Sequence, residues 1–248
     1  MPILYSSAFD GTIYKSAQTW AGARDAASGD AVSDSSANSI LTHVKRANTR
    51  GGGEAWTVRR YFMRFDTSGI TGAVSGVTIK IRGSSNGGGG AICVKADGAF
   101  SSGSPLGSLD VQDFNRIEGW VAGGSNNSNV TKYTNAIGAG GVGNWNGSGY
   151  NTFTATSDLV NDMRNNQFVE ICVLDQKYDL LNASGLNLPQ QFYVSGYQVD
   201  NSGTSLDPHI SYTSGSGYAH DVNSVSAASI GKTNTVAVAS IGKINTVD

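Results

Sequence analysis

The chain has 248 residues with a formal net charge of −2, and charged residues make up only 15% of it, against about 25% in average globular proteins. Its 17 basic residues do not outnumber the 19 acidic ones, so no positive face for phosphate contacts is expected and a nucleic-acid partner is excluded. The 33 glycines, with Ser, Thr, Asn and Val in place of the best helix formers, predict a β-rich protein.

Nine segments rich in β-branched and aromatic residues are bounded by turn residues, and each is predicted to be a strand. In "GVTIKIRG", Val77, Ile79 and Ile81 alternate with polar residues, which predicts one buried and one wet face. The runs "AICV" and "VEICV" are apolar on both sides, which predicts burial on both faces. The nine strands cover residues 11–16, 39–46, 56–66, 76–83, 91–97, 150–156, 168–175, 191–199 and 209–213.

One short helix is predicted over "TSDLVNDMRNN", because Leu159, Val160 and Met163 share a stripe and Thr156 or Ser157 can cap the first turn. The glycine- and asparagine-rich stretches "GGSNNSN" and "GAGGVGNWNGSGY" are predicted to be long surface loops. No run of 18 apolar residues is present, so no membrane-spanning helix is expected. No basic and apolar leader of the secretory type is visible at the beginning.

The sequence contains two glycine-rich motifs that resemble phosphate-binding loops and three histidines that could bind a metal, but the residues around them do not fit either kind of site. "GAGGVG" has the GxGxxG spacing but is followed by "NWNGSGY", which cannot open the helix that a dinucleotide site needs. "SIGKT" lacks the first glycine of a P-loop. His43, His209 and His220 have no second ligand at metal spacing, so neither a metal nor a cofactor is expected.

No sequence pattern marks a set of catalytic residues either. Asp110, Asp113, Glu118 and Asp175 are acid and base candidates, but nothing pairs them, and no nucleophile elbow accompanies them. The protein is therefore predicted not to be an enzyme. The two cysteines lie in apolar strands, where buried thiols are the preferred interpretation and a cross-strand disulfide is the alternative.

Three aromatic residues lie in polar, glycine-rich surroundings. Trp120 stands in "EGWVAGG", and Trp145 and Tyr150 stand in "NWNGSGY". An aromatic ring in such a loop can stack on a sugar while neighbouring amides bind its hydroxyl groups. The other interpretation is that these rings turn inward and close the ends of a sandwich.

The last 27 residues contain an 11-residue repeat, "ASIGKTNTVAVASIGKINTVD", and the Gly/Ser-rich "SGSGYAH" precedes it. The sequence predicts a main domain over residues 1–213, a linker over 214–221 and a β-repeat tail over 222–248. An odd period needs a turn in each copy to restore the strand register, and Gly231–Lys232 and Gly242–Lys243 are the predicted turns.

The main domain resembles a known family over three stretches. Residues 60–70, "RYFMRFDTSGI", resemble the strand pattern of DNRLRE-type domains, relatives of jelly-roll carbohydrate-binding modules. "TATSDLVNDMRNNQFVEICVLD" is similar to that family's helix and core strand, and "SLDPHISYT" to its closing strand. The resemblance implies an all-β, jelly-roll-like antiparallel β-sandwich with one short helix. The family's helix tryptophan is absent here, where Met163 and Arg164 stand instead.

The tail is similar to "ASIGKxNxV" repeats found at the ends of tailed-bacteriophage virion proteins. This resemblance implies a non-enzymatic virion protein, a capsid decoration or a tail or fibre component, assembled in the host cytoplasm. Other virion proteins and further copies of the chain are the implied partners. A glycan-binding adhesion module that uses the loop aromatics is the alternative, with a surface glycan as its partner.

Two or three short strands bury too little apolar surface to be stable alone, so the repeat is predicted to dock on another sheet. Its assembly residues are the apolar and glycine positions that recur in successive copies: Val225, Ile230, Gly231, Val236, Val238, Ile241, Gly242 and Val247.

Overall fold

The computed structural model describes residues 1–34, 37–101, 107–124, 127–183, 186–198 and 205–215, and the backbone of 232–233 and 236–237. The strands are β1 (Ile3–Tyr5), β2 (Gly11–Ala17), β3 (Ala31–Ser33), β4 (Asn38–Asn48), β5 (Glu54–Asp66), β6 (Val74–Asn86), β7 (Gly90–Lys95), β8 (Ile137–Gly138), β9 (Tyr150–Thr154), β10 (Phe168–Leu174), β11 (Gln190–Tyr197), β12 (His209–Ser214), β13 (Lys232–Thr233) and β14 (Val236–Ala237). The helices are α1 (Trp20–Arg24) and α2 (Ser157–Asn165), with a 3₁₀ helix over Val111–Asn115 and a π-helical turn over Gln176–Leu180.

Strands β1 to β12 join into one curled antiparallel sheet in the order β1-β12-β6-β11-β4-β5-β10-β7-β8, with β9 added to β6, β2 to β5 and β3 to β2. The long strand β6 passes from one layer to the other, because its first part pairs with β12 and β9 and its last residues pair with β11. The fold is therefore an all-β, jelly-roll-like sandwich, as the sequence predicts. All nine predicted strands are present, while β1, β3 and β8 were not predicted.

The main core lies between the two layers of the sandwich. Ile79 of β6 and Ile210 of β12 meet Met63 of β5 and Ile171 of β10, and all four side chains are fully buried. The alternation predicted for β6 places its apolar residues in this core and leaves Lys80 half-buried on the outer face.

Helix α2 closes the main core with Leu159 and Met163, both fully buried, and the predicted stripe is confirmed. Thr156 occupies the N-cap position but makes no side-chain cap bond. Its hydroxyl donates instead to the Lys132 carbonyl at 2.8 Å, which ties the helix to the preceding segment. Within the described residues, neither helix has the length and apolar character needed to cross a bilayer.

A second core covers the outer face of the layer that contains β5, β7 and β10. Phe62 and Val94 of this sheet contact Phe100 and Phe114, which belong to the long connection between β7 and β8. Helix α1 adds Ala23 to the same cluster. Only one stretch of this connection, "GGSNNSN", was predicted to be a surface loop. The apolar residues elsewhere in the connection fold back onto the sheet and cover its second face.

The cysteines lie on opposite faces of adjacent strands. Cys93 belongs to the main core and Cys172 to the outer core. In the pairing of β10 with β7, Cys172 is opposite Val94 and Val173 is opposite Cys93. Because successive side chains of a strand point to opposite faces, the two sulfur atoms are separated by the sheet. The buried-thiol interpretation is confirmed, and the disulfide alternative is wrong.

The tail is described only at β13 and β14, which pair antiparallel with Lys232 opposite Ala237 and Thr233 opposite Val236. Lys232 therefore lies in a strand. The prediction that Lys232 belongs to a turn is wrong, because Lys232 pairs with Ala237, while Gly231 and the second predicted turn, Gly242–Lys243, lie outside the described residues.

Of the predicted assembly residues, Val236 is described by its backbone alone. The others lie outside the described residues: Val225, Ile230, Gly231, Val238, Ile241, Gly242 and Val247. At the predicted linker, β12 runs to Ser214, and the amide of Gly215 donates to the Ala73 carbonyl at 2.7 Å. The first two linker residues are thus bound to the sandwich.

Candidate functional site

Trp120 lies beside a buried ion cluster on the outer core. The guanidinium carbons of Arg24 and Arg60 lie 4.7 and 4.2 Å from the centre of its ring. Both arginines are fully buried, and Asp179 accepts two hydrogen bonds of 2.8 Å from Arg60. A ring stacked on two desolvated cations takes part in cation–π interactions. The Trp120 ring therefore packs against the buried arginines and does not present an open face to a ligand.

Trp145 is 2% exposed and belongs to the main core. Its indole N–H donates to the Ser195 carbonyl at 3.1 Å, and its ring centre lies 6.3 Å from that of Phe153. Gly83 permits this arrangement, because a Cβ there would stand 2.0 Å from the carbonyl oxygen of Asn146. Trp145 has no exposed ring face for a sugar, and of the two interpretations that the sequence left open, inward packing applies to this residue.

Tyr150 borders a surface groove. Its hydroxyl donates to the Ser205 carbonyl at 2.8 Å, and its ring packs edge-on against His209 with 5.1 Å between centroids. The guanidinium carbon of Arg82 lies 5.8 Å from its ring centre. Partial burial raises the pKa of Tyr150 above its usual value. The three aromatic residues do not converge on one site.

The groove beside Tyr150 has a volume of about 460 Å³ and is lined by uncharged side chains. Asn135, Asn144 and Asn146 provide exposed amides, and Thr152 of β9 provides a hydroxyl group. Amides and hydroxyls both donate and accept hydrogen bonds. A groove of this lining is suited to a neutral ligand rich in hydroxyl groups.

A second groove, of about 560 Å³, is lined by charged side chains near the edge of β5, β7 and β10. At one side, Lys95 Nζ lies 2.9 Å from Glu118 Oε2 and 3.1 Å from Asp162 Oδ2. The Tyr133 hydroxyl donates to the same Asp162 oxygen. One cation faces two carboxylates, so this side of the groove carries a net charge of −1.

Glu170 stands on the other side of the charged groove. Burial raises its pKa to about 7, and the charges of Asp113 and Asp97 act in the same direction. Arg64 opposes the shift, but its Nε lies 3.7 Å from the carboxylate, too far for a hydrogen bond. The guanidinium carbon of Arg64 is also 3.8 Å from the ring centre of Phe168. Glu170 can therefore exchange a proton near neutral pH.

Sequence reasoning missed Glu170 and the groove around it. One signal was present, because Glu170 is the only ionisable group within the apolar strand "FVEICVL" apart from the thiol. A carboxyl group in a strand covered on both faces is desolvated, and desolvation raises its pKa. The amides at Asn135 and Asn144 carried no such signal, since asparagine is common in loops.

The four carboxylates singled out in the sequence do not meet. Asp110 and Asp113 form the capping box of the 3₁₀ helix. Asp175 accepts the amides of Tyr178 and Gly90, while Glu118 binds Lys95. Each carboxylate thus holds local structure. In the described part of the chain, no three acidic, histidine or cysteine side chains are grouped so that they could hold a metal ion.

No protein-family model matches the chain. No curated protein matches it with significance either.

Proposed function

We propose that the protein is a non-enzymatic structural protein of a bacteriophage virion, displayed on the particle as a capsid decoration or as a tail or fibre component. The C-terminal repeat attaches it to other virion proteins or joins it to further copies. The observation that carries this proposal is the separate pairing in the tail, where β13 and β14 form their own two-stranded sheet.

The difference in packing between the two parts supports a docking role for the tail. The sandwich has a main core and an outer core that bury both faces of its central strands. An isolated two-stranded hairpin is marginally stable at best, and β13 and β14 contribute two residues each. The resemblance of the repeat to phage virion repeats supplies the virion context. A partner sheet would stabilise the repeat by pairing with its open strands.

Incorporation into particles tests this role. Particles assembled with the full chain are compared with particles assembled with a chain that ends at Gly215, the last sandwich residue that the structure describes. We expect the shortened chain to be lost from the purified particles while its unfolding midpoint stays within about 2 °C of the full chain. Equal incorporation of both chains would contradict an attachment role for the repeat.

A second function, glycan binding by the sandwich, is favoured by one observation. The groove beside Tyr150 combines exposed amides with an aromatic border and contains no charged side chain in its lining. The proposed binding surface is thus formed by the β9 side of the sandwich, and it does not use Trp120 or Trp145. A particle protein with such a surface would contact neutral surface glycans.

Glycan-array binding by the intact protein tests this second function. Asn144→Ala and Thr152→Ala each remove exposed polar atoms from the groove without emptying a core position. Loss of one ligand hydrogen bond weakens binding by about three- to tenfold. Asn161→Ala, on the exposed face of α2, is the matched control and should bind normally. An array without hits for the intact protein would remove this function.

A further inference from the structure

The groove beside Tyr150 runs along the free side of β9. Among the described strands, β9 pairs with β6 alone, so it ends its layer of the sandwich. The opposite wall of the groove is formed by residues of the segment 135–146. Thr152 and Thr154 of β9 are exposed, and both line the groove. One wall of the groove is therefore the backbone of an edge strand.

The N–H and C=O groups of Thr152 face the groove. On the β6 side, the Ala155 amide donates to the Val77 carbonyl at 3.1 Å, and the Gly83 amide donates to the Gly149 carbonyl at 2.9 Å. In an antiparallel pair, alternate residues turn their backbone groups toward the same partner. The odd-numbered residues of β9 therefore bond to β6, and the even-numbered ones point away from it. Within the described part of the chain, the outward backbone groups of Thr152 have no hydrogen-bond partner.

The open part of this edge is short. At one end the Thr156 amide, which also points away from β6, donates to the Tyr133 carbonyl at 2.8 Å, and the two walls meet there. At the other end the Asn146 amide donates to Asn151 Oδ1 at 2.8 Å. The three residues 152–154 between these contacts span roughly 7 Å. An average strand has about five or six residues, so this space suits a sugar substituent better than a peptide strand.

The opposite wall carries an exposed apolar surface. Ile137 and Val142 form a bridge and both line the groove, and Val142 is 77% exposed. The Val142 amide donates to the Ala136 carbonyl at 3.0 Å, which holds this residue on the wall. The described residues that line the groove include no charged side chain. The groove thus combines an unpaired peptide N–H and C=O with a small apolar patch.

We propose that this groove binds the acetamido group of a neutral N-acetylated sugar. The inference rests on the second proposed function, glycan binding, and names the class of sugar. The carbonyl of an acetamido group accepts a hydrogen bond and its N–H donates one. In a trans amide these two groups point in opposite directions, so they reach opposite walls. The carbonyl accepts from the Thr152 N–H, the N–H donates to the side-chain oxygen of Asn135 or Asn144, and the methyl group lies on Val142.

The lining favours an acetamido group over the alternatives. A sugar hydroxyl can bond to the Thr152 N–H, but it leaves the exposed Val142 side chain without an apolar contact. A carboxylate of an acidic sugar would lose water without gaining a cation from the lining. One added hydrogen bond and one buried methyl group each strengthen binding several-fold. We therefore expect a preference of about tenfold or more for the acetylated sugar.

Binding of the intact protein to matched pairs of glycans tests the proposal. Chitotriose is compared with cellotriose, and N-acetyllactosamine with lactose, because the members of each pair differ only in acetamido groups that replace hydroxyl groups. We expect the acetylated member of at least one pair to bind with a Kd about tenfold lower or better. Equal affinities within both pairs, tighter binding of the unacetylated members, or no binding of either acetylated glycan would overturn the proposal.

Substitutions at Thr152 test the backbone hydrogen bond. Thr152→Pro removes the N–H that points away from β6, so the pairing of β9 with β6 is kept. Thr152→Ala loses the hydroxyl group but keeps the N–H, and it is the matched control. We expect the affinity for the acetylated glycan to be about three- to tenfold lower in the proline variant than in the alanine variant. Equal affinities of two folded variants would count against this hydrogen bond.

A substitution at Val142 is independent of whether β9 tolerates proline. Val142→Ser should reduce the preference for the acetylated member of a pair about threefold, because the methyl group loses its apolar contact. Val121→Ser, at a position that is 50% exposed and outside the groove lining, is the matched control and should keep the preference. A preference that Val142→Ser leaves unchanged would contradict the proposed position of the methyl group.

The outcomes separate this inference from the function on which it rests. If the protein binds neutral glycans without acetamido groups and Asn144→Ala weakens that binding, glycan binding in this groove stands and the acetamido inference is refuted. If the intact protein binds no glycan at all, the second proposed function itself fails.

Discussion

The buried cluster around Asp179 gives the sharpest test of how the outer core is held. Asp179 and Arg60 are both fully buried, and two hydrogen bonds of 2.8 Å join them. Arg60 also donates to the carbonyls of Phe114 and Arg24, so one guanidinium group connects α1, the 3₁₀ helix and the π-helical turn. Asp179→Asn keeps the shape of the side chain and removes its charge.

The cost of Asp179→Asn follows from the charges that remain. Arg24 Nε lies 3.9 Å from Asp179, so the substitution deprives two buried cations of their shared carboxylate. Asp25, at 2.8 Å from Arg24, still compensates one of them. Breaking a buried ion pair by removing one partner costs about 3–5 kcal/mol. Since domains are stable by about 5–15 kcal/mol, this substitution should remove a large part of the free energy of unfolding.

Urea unfolding followed by tryptophan fluorescence measures this effect, because Trp120 stacks on both arginines. Asp30→Asn is the matched control, because it breaks a 2.6 Å ion pair with Lys15 near the surface. The side chains of Lys15 and Asp30 are 24% and 35% exposed. An exposed pair is worth about 0–1 kcal/mol. If Asp179→Asn destabilised the protein no more than Asp30→Asn, the buried cluster would not be what holds the outer core.

Three further predictions concern single residues. Trp145→Ala should lower the free energy of unfolding by about 3–5 kcal/mol in urea titrations, while Trp145→Phe costs less because it leaves a smaller cavity. Glu170 has a folded pKa of about 7, above its unfolded value, so the protein should lose stability as pH rises from about 5 to 7. Glu170→Gln should flatten this pH dependence of the melting temperature, and Glu54→Gln, at a partly exposed position where a hydrogen bond from Arg46 lowers the pKa, should not. Cys93 and Cys172 should react with a thiol reagent only after unfolding, since burial raises the pKa of Cys93 to about 12, and modification of the native protein would contradict this.

The strands of the sandwich were predictable because their signal is local. Alternation in β6 and continuous apolar runs in β7 and β10 report directly how many faces of each strand are covered. β1 was not predictable in the same way. Three residues after Pro2 contain too little pattern, and their strand state depends on pairing with β12, which lies about 200 residues away in the sequence.

The burial of the aromatic residues could not be predicted from the local sequence. Trp145 and Tyr150 stand in the same glycine- and asparagine-rich stretch, and both had the composition of a binding loop. Trp145 turns inward because Gly83, more than 60 residues earlier, lets the Asn146 backbone approach β6. Tyr150 begins β9 and faces the other side of that strand from the buried Asn151. Only the tertiary contacts decide which ring is buried.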